Sequence, residues 1–71
     1  MEKAFKMVRV VGESPTSIEQ AAKVALGTSA ERVRGLTWIE IASIRANVNE
    51  SGGIDRWQVT ADIAFEVDGA G

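Results

Sequence analysis

The stretch Leu36-Thr37-Trp38-Ile39-Glu40-Ile41-Ala42-Ser43-Ile44-Arg45 decides how the rest of the chain is read. β-branched and aromatic residues dominate it and no proline interrupts it, which predicts a strand. Side chains alternate along a strand, so Ile39 and Ile41 fall on one face and Trp38 and Glu40 on the other. Strict continuation would carry Arg45 onto the face of Ile39 and Ile41 and place a charge in the apolar layer. One extra residue near Ala42 or Ser43, a β-bulge, removes the conflict. It returns Ile44, Ala46 and Val48 to the buried face and sets Arg45 on the side of Trp38. The expectation is therefore that Trp38 and Arg45 share one face of the sheet.

The third strand, expected from Ile54 to Val67, has the clearest alternation in the chain. Trp57, Val59, Ala61, Ile63, Phe65 and Val67 face one way, and Gln58, Thr60, Asp62, Ala64 and Glu66 the other. Between these two strands, Asn49-Glu50-Ser51-Gly52-Gly53 is a polar, glycine-rich hairpin connection. Asp68-Gly69-Ala70-Gly71 is expected to fray.

Upstream, Phe5 to Val11 reads as a first strand closed by Gly12, with Phe5, Met7 and Val11 on one face and Val8 and Val10 on the other. Apolar residues on both faces call for partial cover on both sides, which an oligomer supplies. A helix follows. Its cap is either Ser14, with Pro15 at the first helical position, or Ser17, with Gln20 at capping-box spacing. Ile18, Ala21, Ala22, Ala25, Leu26, Ser29 and Val33 form one amphipathic stripe. The small residues of that stripe place the helix close to its sheet. Gly27 costs about 1 kcal/mol relative to alanine inside a helix, so it either permits close packing or marks a bend. Gly35 is the stop.

Strand, helix, strand, strand makes an α+β domain, a three-stranded antiparallel sheet curled around one helix. The 71 residues allow one domain, 1–71. A chain this short buries only about 60% of its unfolded surface, so self-association is expected. With no cysteine and no histidine, thiol chemistry, the usual zinc sites and histidine acid–base catalysis are excluded. The formal charge of −2, with signs interspersed, argues against a nucleic-acid partner. No stretch approaches the roughly 20 apolar residues of a membrane span, and the N-terminal residues carry no signal-like apolar core. A soluble, cytoplasmic protein is the expectation.

One helix covers one sheet face. The other carries Trp38, Arg45, Gln58 and Thr60, and a tryptophan there points to a ligand or a second subunit. Trp38 is either an interface packing residue or a stacking surface for a planar ligand. Gln58 is either a solvated strand residue or a donor and acceptor for the edge of a heterocycle. Arg45 is either a surface ion-pair partner or a group that stacks or meets a phosphate or carboxylate. Glu40, Asp62 and Glu66 match no calcium-loop spacing, and no nucleophile, phosphate loop or dinucleotide fingerprint is present, so an enzyme is not expected.

Val11-Gly12 before a serine-capped helix, then Leu36-x-Trp38-x-Glu40-Ile41-x-x-Ile44-Arg45, then Trp57-Gln58-Val59 and Ile63-x-Phe65-x-Val67, together resemble the dodecin family over nearly the whole chain. The resemblance implies a βαββ subunit in a hollow homododecamer with flavin, FMN or riboflavin, bound in pairs at two-fold axes between symmetry-related tryptophans. It matches Trp38 to the stacking residue, Gln58 to the glutamine on the ring edge and Arg45 to the arginine near the pocket. It implies a non-enzymatic protein that stores flavin and quenches its excited state. Two alternatives stand beside it: a dodecin-like structural or ion-binding assembly without flavin, and a flavin-dependent redox enzyme subunit.

Overall fold

The computed structural model describes residues 2–67. Its elements are β1 (Phe5–Ser14), α1 (Ile18–Ala30), β2 (Leu36–Val48) and β3 (Ile54–Glu66), the α+β, βαββ order expected. β3 is the centre of the sheet, antiparallel to both neighbours, in the order β1-β3-β2. The strand with the cleanest alternation takes the position with two partners.

β2 departs from regular pairing at three points, between Leu36 and Trp38, Ile41 and Ser43, and Asn47 and Val48. The second is the predicted bulge, with Ala42 as the unpaired residue. It works as the charge argument requires: Ile44 pairs with Val59 and Arg45 with Gln58, while Trp38 pairs with Ala64. Because Gln58 and Ala64 lie on one face of β3, Arg45 and Trp38 do too.

α1 lies on the other face, packed chiefly on β1 and β3. Ala21, Ala25, Val59, Ala61 and Ile63 are fully buried there. Its closeness to the sheet comes from Gly12, not Gly27. A Cβ on Gly12 would lie 2.0 Å from the Ala21 carbonyl oxygen and 2.7 Å from the Ala25 backbone nitrogen, whereas a Cβ on Gly27 meets nothing within 4 Å. Gly12 also does not close β1. Pairing runs on through Glu13 and Ser14, opposite Gln58 and Trp57, because a glycine facing the helix removes a side chain without removing a ladder bond.

Of the two possible caps, Ser17 is the one used, its Oγ accepting from the Gln20 backbone N–H at 3.0 Å. The Ser14 hydroxyl instead accepts from the Thr16 N–H at 3.0 Å, a local turn that ends β1. α1 stops at Ala30, short of Val33. The backbone N–H groups of Arg32 and Val33 both donate to the Ser29 carbonyl, tightening the last turn, and the next residues must cross to the sheet. There Gly35 takes a left-handed φ of 76°, and its carbonyl accepts from the Glu66 N–H at 3.1 Å. Val67 lies just past β3, and Asp68 to Gly71 fall outside the described residues.

The shape is elongated, 56 × 20 × 13 Å, with a radius of gyration of 14.8 Å against about 11 Å for a compact chain of this length. The excess is the β2–β3 arm, which runs on past the helix. Ile44 and Val48, expected on the buried face, are 50% and 69% exposed along it because the helix does not reach that far, and Ile54 is 52% exposed.

Candidate functional site

The sheet face away from α1 carries Phe5, Met7, Arg9, Val11 and Glu13 from β1, and Arg56, Gln58, Thr60, Asp62 and Ala64 from β3. Trp38, Glu40, Ser43 and Arg45 complete it from β2. It divides into an aromatic end, a charged middle and a polar end.

At the aromatic end Trp38 is 43% exposed. Its ring centroid lies 4.9 Å from that of Phe5, the planes tilted by 56°, although β1 and β2 are not neighbours. Ala64, the cross-strand partner of Trp38 and of Met7, makes this possible, with Phe5 reaching over it diagonally from beside Glu66. The Ala64 methyl group is small enough for aromatic rings from the two edge strands to meet across the central one, and it is fully buried although no helix covers that face. Phe5 thereby holds one side of the indole in the tilted contact that aromatic pairs favour, leaving the rest of the ring open. On the opposite side of the sheet a shallow apolar groove of about 330 Å³ runs between Leu26 and Ala30 of α1 and residues 36–39 of β2.

In the middle, Arg9 grips Asp62 with two bonds, Nε to Oδ1 at 2.8 Å and a terminal nitrogen to Oδ2 at 3.0 Å. The hydrogen bond from Arg9 holds the Asp62 carboxyl below its ordinary 3.8, against the opposing effect of desolvation and with help from the guanidinium charge. The same bond raises Arg9. Glu40 stands directly across from Asp62 on β2, so Arg9 also offsets the repulsion of two adjacent carboxylates.

At the polar end Arg45 Nε donates to Gln58 Oε1 at 2.5 Å, and Gln58 Nε2 donates to Glu13 Oε1 at 2.9 Å. The other oxygen of Glu13 lies 3.0 Å from Arg56 Nε, close enough to pair by charge but not aligned for a hydrogen bond. Gln58 thus stands between a cation and an anion. A hydrogen bond to a charged partner is worth about 1.5–3 kcal/mol, towards the lower figure at exposed positions such as these.

Of the three residues singled out from sequence, two touch and one stands apart. Arg45 and Gln58 are bonded, but Ala64, the partner of Trp38, lies six positions along β3 from Gln58. That is a contour of about 20 Å at strand rise. Glu13, Arg56 and Phe5 were not singled out. Glu13 has the right parity once β1 is carried past Gly12, and Arg56 stands two residues before Gln58, so parity alone held the signal. Among the described residues no group of three or more Asp and Glu side chains could hold a metal ion, and no helix is long and apolar enough to cross a membrane.

A βαββ subunit with one helix on its sheet and an aromatic, partly exposed second face defines a class of small assembling proteins. The dodecin family model matches residues 4–68, and the chain belongs to the dodecin family. Solved structures agree. The tt0972 protein of Thermus thermophilus is 31% identical over 94% of this chain and 97% of its own, with a TM-score of 0.88. The dodecin of Streptomyces davaonensis is 28% identical over 96% and 98%, also at 0.88. Calcium dodecin of Mycobacterium tuberculosis, described as a calcium-chelating immunodominant antigen with a novel calcium-binding site, is 24% identical over 96% of each chain, with a TM-score of 0.79, and shares the fold. Comparison with curated proteins gives no match.

Proposed function

We propose that this is a non-enzymatic, cytoplasmic flavin-binding protein that assembles as a homododecamer, takes up FMN or riboflavin at two-fold axes and stores it in a photochemically quiet form. The observation that carries the reading is the division of the outer face. Trp38 presents an open indole at one end, and the Gln58–Arg45 pair presents polar groups at the other. With about 20 Å of strand between them, a single chain does not put all three around one ring system. A two-fold contact between copies of this face repeats each residue and sets the polar end of one subunit near the aromatic end of the next. Self-association also covers the apolar side chains left open on the arm, Ile44, Val48 and Ile54.

The residues fit a flavin. The open indole offers a flat, electron-rich face for stacking, worth about 1–3 kcal/mol per ring by analogy with bases. Gln58 retains an acceptor lone pair and an N–H after its two bonds, and Arg45 supplies positive charge at the polar end. Flavin itself brings a light-absorbing ring, and the part of Trp38 is to lie against it and quench its excited state. An indole on either side of the ring excludes solvent and a second substrate, which is why storage is preferred over turnover.

Fluorescence titration with FMN and riboflavin, run beside solution mass, tests this. Saturable quenching near one flavin per subunit on a dodecamer-sized particle is expected, and Trp38→Ala weakens it at least about tenfold with the particle intact. Unchanged affinity in that variant sinks the flavin site. A second reading, an ion-binding assembly without flavin, draws on the calcium-chelating relative and on the facing Glu40 and Asp62. Asp62 has both oxygens on Arg9, which weakens that reading. A dodecamer that takes calcium and leaves flavin fluorescence untouched would establish it.

A further inference from the structure

The aromatic end carries an arrangement that a stacking tryptophan does not by itself require. Trp38 stands on an edge strand, on the face with no helix above it, and is 43% exposed. An indole so placed has several staggered rotamers open to it, and a ligand that stacks on it must first hold it in one. Phe5 removes part of that freedom. It is the first residue of β1 and pairs with Glu66 rather than with Ala64, so its ring meets Trp38 diagonally over the Ala64 methyl group. The centroids are 4.9 Å apart and the planes tilted by 56°, a geometry that aromatic pairs favour and that does not continue as a parallel stack. Ala64, beneath the pair, is fully buried. Any longer side chain at that position would wedge the two rings apart. Quenching by a stacked indole requires contact and falls off steeply with separation. An indole fixed in one rotamer therefore gives one fast decay of the excited ring, whereas one that moves among rotamers leaves part of the population emitting.

We propose that Phe5 is a positioning residue for Trp38. Reaching across Ala64, it holds the indole in the rotamer that stacks, so that affinity and complete quenching both depend on a side chain outside the stack. This rests on the flavin-binding reading above and adds to it the residue that prepares the stacking surface. Without Phe5 the ligand itself has to order the indole, and binding is weakened by the cost of immobilising one side chain.

The test compares Phe5→Leu, which removes the ring and keeps apolar bulk over Ala64, with Phe5→Tyr, which keeps the ring. Riboflavin affinity is read by titration of ligand fluorescence, and the decay of the bound ligand by time-resolved fluorescence with sites in excess. Solution mass checks assembly. The unaltered protein shows one fast decay. In Phe5→Leu the affinity falls about three- to tenfold and a slow component enters the decay while the particle is unchanged, and Phe5→Tyr restores both. The slow component separates positioning from a loss of packing, because a weaker site that still stacks correctly quenches every ligand it holds. Phe5→Met carries the same test should Phe5→Leu fail to assemble. A leucine or methionine variant that keeps the single fast decay, whatever its affinity, overturns the positioning role, and so does a tyrosine variant no better than the leucine one. In each of these outcomes the unaltered protein still quenches riboflavin and the flavin reading stands. An unaltered protein that does not quench it removes that reading and this inference with it.

Discussion

On one face of β3, Val59, Ala61 and Ile63 are sealed under α1. On the other, Gln58, Thr60 and Asp62, which alternate with them, stand among charged and aromatic neighbours with no helix above. The two faces are built from the same three strands and the same ladder bonds, yet their cohesion differs in kind. The covered face depends on close approach, a glycine beneath two alanines, and tolerates no added atom. The open face depends on reach, with long side chains meeting across the central strand: Phe5 to Trp38, Arg9 to Asp62, Arg45 through Gln58 to Glu13. A face held by reach can yield its partners to a ligand or a second subunit. A face held by close approach cannot.

The largest effect should come from breaking that close approach. Gly12→Ala drives a methyl group into the Ala21 carbonyl and the Ala25 backbone, neither of which moves without displacing the helix. A loss of about 3 kcal/mol or more is expected, read as a fall in denaturation midpoint at matched protein concentration. A midpoint unchanged within error would mean that the helix rides loosely and that the two faces are less different than described. Gly27→Ala is the converse. Its Cβ enters open space, so the variant should gain about 0.5–1 kcal/mol from helix propensity. A loss there would show that a neighbouring subunit packs on that part of α1.

The smallest effect belongs to the open face. The folded-state value of Asp62 is depressed by Arg9, so its contribution to stability is present above the unfolded carboxylate value of 3.8 and is lost as pH falls through the lower folded one. Arg9 is mostly exposed, so solvent screens the pair and the change is slight. Arg9→Ala should move the Asp62 titration upward toward its ordinary value and flatten the acid limb of the stability profile, with no shift at neutral pH beyond the small loss of the pair. NMR titration of the Asp62 carboxyl checks this. An unmoved Asp62 would mean that Glu40 and the backbone, rather than Arg9, set its environment.

Much of this was legible in the chain itself. The element order, a bulge near Ala42 or Ser43, the sharing of a face by Trp38, Arg45 and Gln58, and the small-residue stripe of α1 all follow from periodicity. A side chain's face is fixed by its parity, and parity is local. A buried arginine is costly enough to force the bulge into view without any coordinates.

Contact across strands was not legible, because it depends on which strand lies in the middle. Once β3 takes the centre, Ala64 stands between Met7 and Trp38 with Phe5 one same-face pair further along, Gln58 between Arg45 and Glu13, and Asp62 between Arg9 and Glu40. The end of β1 beyond Gly12, the choice of Ser17 over Ser14 as cap, and the assignment of close packing to Gly12 rather than Gly27 belong to the same category. Each was settled by where the helix comes down on the sheet, a distance between residues far apart in sequence that no local pattern encodes.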